Sequence, residues 1–224
     1  MTDQAKFQDS KRIQESFLAP IEKVALLKLA SWMPHWVNPD HLTSIGFLSM
    51  ILSGLSYYLA RHEPAYLFLA SFFIVINWFG DSLDGTLARY RKKLRPRYGY
   101  YIDHMIDALG TFTLTLGIGL SGYMDLTVAF LLLIAYYLLS IQSYLATAVF
   151  REFRISFWKL SPTEVRLLLI AGNAYAFFRP EVALLGRGLR PFDVGAVIAM
   201  AGMAAILLYT TIQNTVRLYR EERL

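Results

Sequence analysis

Long apolar blocks alternate with short charged segments along almost the whole chain. Six blocks stand out, at residues 43–60, 65–88, 99–121, 126–149, 164–178 and 191–217. A run of about 20 apolar residues, rising about 1.5 Å per residue, crosses the hydrocarbon of a bilayer as one α-helix. Each block therefore predicts a transmembrane helix, with 164–178 the shortest. The strict alternation that marks half-buried strands does not recur, and there is no internal repeat or low-complexity stretch. The expected fold is an all-α integral membrane protein with six transmembrane helices.

The segment before the first block has a different pattern. Phe17, Leu18, Ile21, Val24, Ala25, Leu29 and Trp32 recur at helical spacing across residues 11–36, with Lys11, Arg12, Glu15, Glu22, Lys23 and Lys28 interleaved. That is too much charge for a span. It predicts an amphipathic helix that either lies in the membrane interface or packs on the cytoplasmic face of the protein itself. Pro34 and Pro39 are expected to end it. Residues 1–42 then form an N-terminal polar segment and interfacial helix, and residues 43–224 the six-helix transmembrane domain that holds any catalytic site. Met1–Ser10 is polar and charged, and is not expected to act as a cleavable signal peptide.

Composition agrees with a bilayer protein. Hydrophobic residues make up 55% of the 224 and charged residues only 17%, against about a quarter in soluble domains. The absence of cysteine excludes disulfides, thiolate nucleophiles and Cys-ligated zinc, and the four histidines argue against a His-rich metal site. The net charge of +5 sits between apolar blocks and at the chain ends, where it sets topology and meets anionic lipid rather than nucleic acid. Arg89 to Arg97, then Arg151, Arg154 and Lys159, then Arg217, Arg220 and Arg223 follow alternate blocks. The positive-inside rule places these segments and both termini in the cytoplasm, as in a bacterial-type inner membrane. Arg179, Arg187 and Arg190 in the last outer loop depart from the pattern. Tyr and Trp residues near block ends read as interface anchors.

Carboxylates within or at the ends of spans are costly and usually mark a functional site facing the bundle interior. Asp81 and Asp84 lie three apart near the end of the second block, and Asp103 and Asp107 four apart near the start of the third. At these spacings each pair shares a helix face. The basic connection makes the two helices antiparallel neighbours, so all four carboxylates can converge at one depth, just inside the cytoplasmic boundary. Four like charges at low dielectric repel one another and require a cation. Hard oxygen ligands without cysteine favour Mg²⁺, Mn²⁺ or Ca²⁺ over zinc. Two such ions would balance the charge and form the clamp used on phosphoryl groups. A competing reading pairs the aspartates with Arg89, Arg91 or Lys92 as a staple between helix ends. It suits one pair better than four residues at matched spacing. A cation transporter or channel is a reading of another class, but a transport path needs polar groups through the bilayer depth, and here they cluster at one end.

In order, these residues read Asp81-Ser82-Leu83-Asp84-Gly85-Thr86-Leu87-Ala88-Arg89 and, after a spacer of nine residues, Gly99-Tyr100-Tyr101-Ile102-Asp103-His104-Met105-Ile106-Asp107. The arrangement resembles the signature of the CDP-alcohol phosphotransferase family, DxxDGxxAR followed by GxxxDxxxD. Every fixed position is occupied, and the spacer is slightly longer than the family's commoner one. The resemblance extends across the chain, since such enzymes have an interfacial N-terminal helix and six spans, usually as homodimers. It implies a phospholipid-synthesising transferase that moves a substituted phosphoryl group from a CDP-alcohol to an acceptor hydroxyl and releases CMP. It also implies Mg²⁺ or Mn²⁺, as two ions, on Asp81, Asp84, Asp103 and Asp107, and a CDP site formed by Gly85, Ala88, Arg89 and Gly99. These types make physical sense. Gly85 and the small Ala88 let a nucleotide approach the helix, and Arg89 offers a planar fork to a phosphate or the cytosine carbonyl. Gly99 opens the third span where the loop must turn close to the metals.

A weaker match precedes the first block. Pro39-Asp40-His41-Leu42-Thr43 resembles the family's PNxxT segment of the nucleotide pocket, with Asp40 in place of the usual Asn. Thr43 either joins that pocket or caps a helix N-terminus. Asp107 is the family's usual base for the acceptor hydroxyl. A metal-bound carboxylate is a weak base, however, and His104 offers an imidazole for the task unless it simply faces a neighbouring helix.

The residues Asp103-His104-Met105-Ile106-Asp107 and Thr163-Glu164-Val165-Arg166 also look like the DHxxD and TEV segments of choline and ethanolamine phosphotransferases. This favours a CDP-linked polar alcohol with a lipid acceptor such as diacylglycerol. The short chain lacks the extra spans of eukaryotic members, which favours CDP-diacylglycerol with inositol phosphate, glycerol phosphate or serine as the small polar acceptor. Asn77, Glu164 and Arg166 are candidates for headgroup or supporting contacts, a polar staple between helices being the simpler reading for each.

Overall fold

The computed structural model describes residues 11–13, 18–150, 152–154, 161–184 and 187–223. Met1–Ser10, Glu15, Phe17, Arg151 and Lys159 lie outside them. The helices are α1 (Ala19–Trp32), α2 (Pro39–Ala60), α3 (Tyr66–Tyr90), α4 (Pro96–Leu120), α5 (Leu126–Phe150), α6 (Pro162–Phe178) and α7 (Pro191–Glu221). Two short strand pairs accompany them: β1 (Lys11–Ile13) runs parallel to β2 (Glu152–Arg154), and β3 (Val182–Leu184) antiparallel to β4 (Arg187–Leu189).

The fold is all-α apart from those pairs, and α2 to α7 match the six apolar blocks. By length and composition α2, α3, α5 and α7 can cross a membrane. Two others fall short of that measure. α6 has 17 residues, and α4 carries Asp103, His104 and Asp107 in its first half.

Three helices begin before their apolar blocks: α2 at Pro39 rather than 43, α4 at Pro96 rather than 99, and α6 at Pro162 rather than 164. Proline is preorganised for the first helical turn, where its missing N–H is no loss. Pro39 therefore opens a helix instead of ending one. Asn38 and Ser161 complete capping boxes with His41 and Glu164. Asp125 caps α5, accepting from the backbone N–H of Thr127 (2.8 Å) and Val128 (3.4 Å), and these bonds hold its carboxyl below the usual range.

α1 is shorter than the expected 11–36 helix, because residues 11–13 pair with β2 and Pro20 sits in the first helical turn. Leu26 and Ala30 are buried with Val37, Leu42, Leu83 and Leu87, which packs α1 on α3. Ile21, Val24 and Trp32 remain exposed on the chain. Apolar side chains thus occupy both faces of α1 rather than one stripe.

α2 is the central element and packs along both α3 and α4. Glycines permit this. A Cβ on Gly80 would fall 2.6 Å from the Gly46 nitrogen and the Leu42 oxygen, and one on Gly117 would collide with the Gly54 backbone. Close approach at small residues is how helices associate in lipid. α3 and α4 share no comparable face, which corrects the expectation that they are direct neighbours. With α2 between them, the end of α3 and the start of α4 face each other across a gap. The larger apolar cluster, including Tyr57, Leu67, Ile74, Leu114 and Phe192, lies in the other half of the bundle.

Candidate active site

The last turns of α3 hold Asp81 and Asp84 against α2 and α6. Asp84 is only 7% exposed. Its Oδ2 accepts a hydrogen bond from Thr43 Oγ1 at 2.6 Å and its Oδ1 accepts one from the Gly85 N–H at 2.5 Å. Thr43 is inside α2, whose N-cap is Asn38, so the capping alternative for Thr43 does not hold. Asp81 is half-buried, and its Oδ2 pairs with Arg166 Nη2 at 2.6 Å. The same guanidinium donates through Nε to Asn77 Oδ1 (2.9 Å), and Asn77 Nδ2 donates to the Gly46 carbonyl (3.0 Å). Planarity suits Arg166 to this bridging position.

Asp103 and Asp107 project from α4 and are exposed on the chain. Asp107 lies within electrostatic reach of Asp81, Arg166, Asp103 and Asp84, and Asp84 within reach of Asp103 and Asp81. The four carboxylates therefore belong to one site. A cation that the sequence marked only as a supporting candidate, Arg166, stands among them.

The basic connection is used differently from the staple reading. Arg91 donates to the carbonyls of Met33 (3.0 Å), Pro34 (2.8 Å) and Val37, closing off the segment after α1. Arg95 pairs with Asp40 at the rim, where both side chains are about half exposed. Arg89 donates to Thr86 Oγ1 at 3.2 Å, and its guanidinium lies 3.5 Å from where a Cβ on Gly85 would sit. Ala88 is buried. Gly99 is in the first turn of α4, with open space where a Cβ would be. The expected loop turn at Gly99 is absent, because Pro96 has already started the helix.

His104 faces another way. Its Nδ1 lies 2.6 Å from the Tyr100 carbonyl of its own helix. Its ring centroid is 4.2 Å from that of Tyr100 and 4.8 Å from that of Tyr144 on α5. Glu164 serves the capping box of α6 and accepts from the Leu18 N–H at 3.3 Å. A cavity of about 610 Å³ opens between the C-terminal halves of α5 and α7, lined in part by Gln142, Gln213, Asn214, Arg217 and Arg220; none of the four aspartates lines it.

The donor set suits a hard divalent cation: four carboxylates, no sulfur and one arginine. Among the described residues, no three carboxylate or imidazole groups close on a single point. Instead the aspartates come to the site from two helices, α3 and α4.

The match to a curated relative is partial. Over 104 residues the chain is 36% identical to an archaetidylinositol phosphate synthase of Pyrococcus horikoshii, a stretch covering 46% of this chain and 52% of that protein. The chain thus spans about half the length of the curated relative it matches. A family model, CDP-alcohol phosphatidyltransferase, matches residues 36–215, from just before α2 almost to the end of α7 and across both halves of the aspartate motif. On that match the chain belongs to the CDP-alcohol phosphatidyltransferase family.

Proposed function

We propose that the protein transfers a substituted phosphoryl group from a CDP-linked lipid to the hydroxyl of a phosphorylated polyol such as inositol phosphate, with release of CMP. The observation that carries this reading is Asp107 within electrostatic reach of Asp81, Asp84, Asp103 and Arg166, with Asp84 in reach of Asp81 and Asp103 as well. The acceptor class follows the relative. His104 packs against Tyr100 and Tyr144 and Glu164 caps α6, so neither adds an observation that favours a CDP-linked polar alcohol.

Asp81, Asp84, Asp103 and Asp107 would hold Mg²⁺ or Mn²⁺, which neutralises the diphosphate and the leaving CMP when bound. The chain's own residues do the positioning. Thr43 orients Asp84, and Arg166 with Asn77 orients Asp81. Asp107 takes the proton as the acceptor oxygen bonds to phosphorus and the bond to the CMP oxygen breaks. It is placed for this better than His104, because it faces the other carboxylates. Gly85, Ala88, Arg89 and Gly99 form the wall for the CDP, with Asp40 and Arg95 at its rim. The basic segments support a site on the cytoplasmic side of an inner membrane, and the reading includes a homodimer, which cross-linking in membranes would detect.

The test is CMP release from proteoliposomes supplied with Mg²⁺ or Mn²⁺, CDP-diacylglycerol or CDP-archaeol, and inositol phosphate. CMP should appear together with a new phospholipid. No CMP across a panel of donors and acceptors, or full turnover by Asp81→Ala, would sink the proposal. CMP formed only from a CDP-linked polar alcohol and diacylglycerol would reassign the branch.

A further inference from the structure

The joint between α3 and α6 carries the Arg166–Asp81 contact, and α6 depends on that joint for its position. It packs chiefly on α3 and only marginally on α7. Polar contacts run along the joint in successive rungs. Asn173 Nδ2 donates to Ser71 Oγ (2.9 Å) deep in the bundle, and Arg166 bridges Asn77 and Asp81 nearer the gap. The outermost rung is supplied by a third helix. On α1, Glu22 Oε1 accepts from Trp78 Nε1 (2.8 Å) and Ser82 Oγ (3.3 Å) of α3, and from Thr163 Oγ1 (2.8 Å) of α6.

The placement of these donors is informative. Trp78 and Ser82 each follow directly after a residue of the Arg166 bridge, Asn77 and Asp81, and Thr163 lies one helical turn before Arg166. A carboxylate that accepts three hydrogen bonds makes stronger, shorter contacts than a neutral group would, and at low dielectric these strengthen further. The N-terminus of α1 is tied to the same place, because the Leu18 N–H donates to Glu164.

We propose that Glu22 is a positioning residue for the transfer reaction. It clamps the first turn of α6 to the last turns of α3, in the register at which Arg166 reaches Asp81. The inference rests on the reading of the aspartate site given above. Without the clamp, the first turn of α6 is free to lift from α3, and Arg166 loses its fixed approach to Asp81.

The test compares wild type, Glu22→Ala, Glu22→Gln, Arg166→Ala and the double variant Glu22→Ala/Arg166→Ala, all in proteoliposomes assayed for CMP release. Groups that orient metal-binding residues typically contribute on the order of 10- to 100-fold, so Glu22→Ala should lower kcat/KM by that amount, mainly through kcat. Glu22→Gln keeps an acceptor oxygen and should restore turnover to within roughly threefold of wild type. If Glu22 acts through Arg166, the double variant should be no worse than Arg166→Ala alone. Loss of bulk stability would instead multiply the two effects. Should Glu22→Ala not accumulate, Thr163→Val cuts only the α6 arm of the clamp. It should lower kcat in the same direction while the melting temperature stays at the wild-type value. Wild type active with Glu22→Ala within twofold of it, or multiplicative losses in the double variant, would overturn the clamp and leave the site reading standing. A silent wild type would overturn the site reading itself.

Discussion

Asp81 and Asp84 on α3 are held by side chains of α6 and α2, whereas Asp107 on α4 accepts no hydrogen bond among the described residues. Thr43 and the Gly85 N–H take both oxygens of Asp84, and Arg166 takes Asp81. Asp103 and Asp107 are exposed on the chain, and among the described residues no hydrogen bond reaches Asp107. Both pairs carry the same charge at nearly the same helical spacing, so the difference comes from what packs around them. A carboxylate fixed by hydrogen bonds is preorganised as a ligand and poorly free to change protonation. One that accepts no such bond among the described residues, as Asp107, can take the proton of a substrate hydroxyl. On the proposed reading the α3 pair therefore serves to hold, while Asp107 on α4 adds proton acceptance to holding.

The sharpest way to break this comparison is at Asp107. General-base removal costs about 10²–10⁴-fold, so Asp107→Asn should abolish most CMP release while CDP-alcohol binding, measured by calorimetry, stays near wild type. Loss of binding together with turnover would leave Asp107 a ligand only and remove its role as base.

Gly80→Ala tests the packing that positions the α3 pair. Its Cβ would enter the backbone of α2 at 2.6 Å, and overpacking of this kind costs about 1–3 kcal/mol. A lowered melting temperature and weakened Mn²⁺ binding are expected, and unchanged values would show that the α2–α3 contact is not limiting. A smaller effect is expected at Thr43. Thr43→Val removes a bond to Asp84 and should weaken Mn²⁺ binding on the order of tenfold, with Thr43→Ser recovering it. Smallest of all is Asp40→Asn. The Asp40–Arg95 pair is about half exposed, and such pairs are worth about 0–1 kcal/mol. Turnover should fall by no more than roughly fivefold; a larger loss at fixed stability would give Asp40 a role in the nucleotide pocket.

Much of the candidate site is legible in the sequence alone. The aspartates, Gly85 and Arg89 stand in one recognisable pattern, and the apolar blocks located α2 to α7. The missed helix starts share one cause. Pro39, Pro96 and Pro162 read as breaks in apolar periodicity, while each is a signal for a first helical turn, and Asn38 and Ser161 with Glu164 were available as capping signals. Glu22 left no such signal. It reads as one more charge on a mixed helix, because its partners lie 56 to 141 residues away. The direct α3–α4 pairing expected from a short connection failed for a related reason. Gly46, Gly54, Gly80 and Gly117 bring α2 closer to both helices than they come to each other, and which glycines meet is not written in their spacing.

By itself the sequence determined the class of the protein, its apolar blocks and a motif of four carboxylates, because period, apolarity and charge are local properties of the chain. The tertiary structure decided which groups hold Asp81 and Asp84, that Arg166 rather than Arg91 meets Asp81, and that His104 turns to Tyr144. Those outcomes depend on side chains far apart in sequence reaching the same depth. Only the packing of α2, α3 and α6 sets that depth.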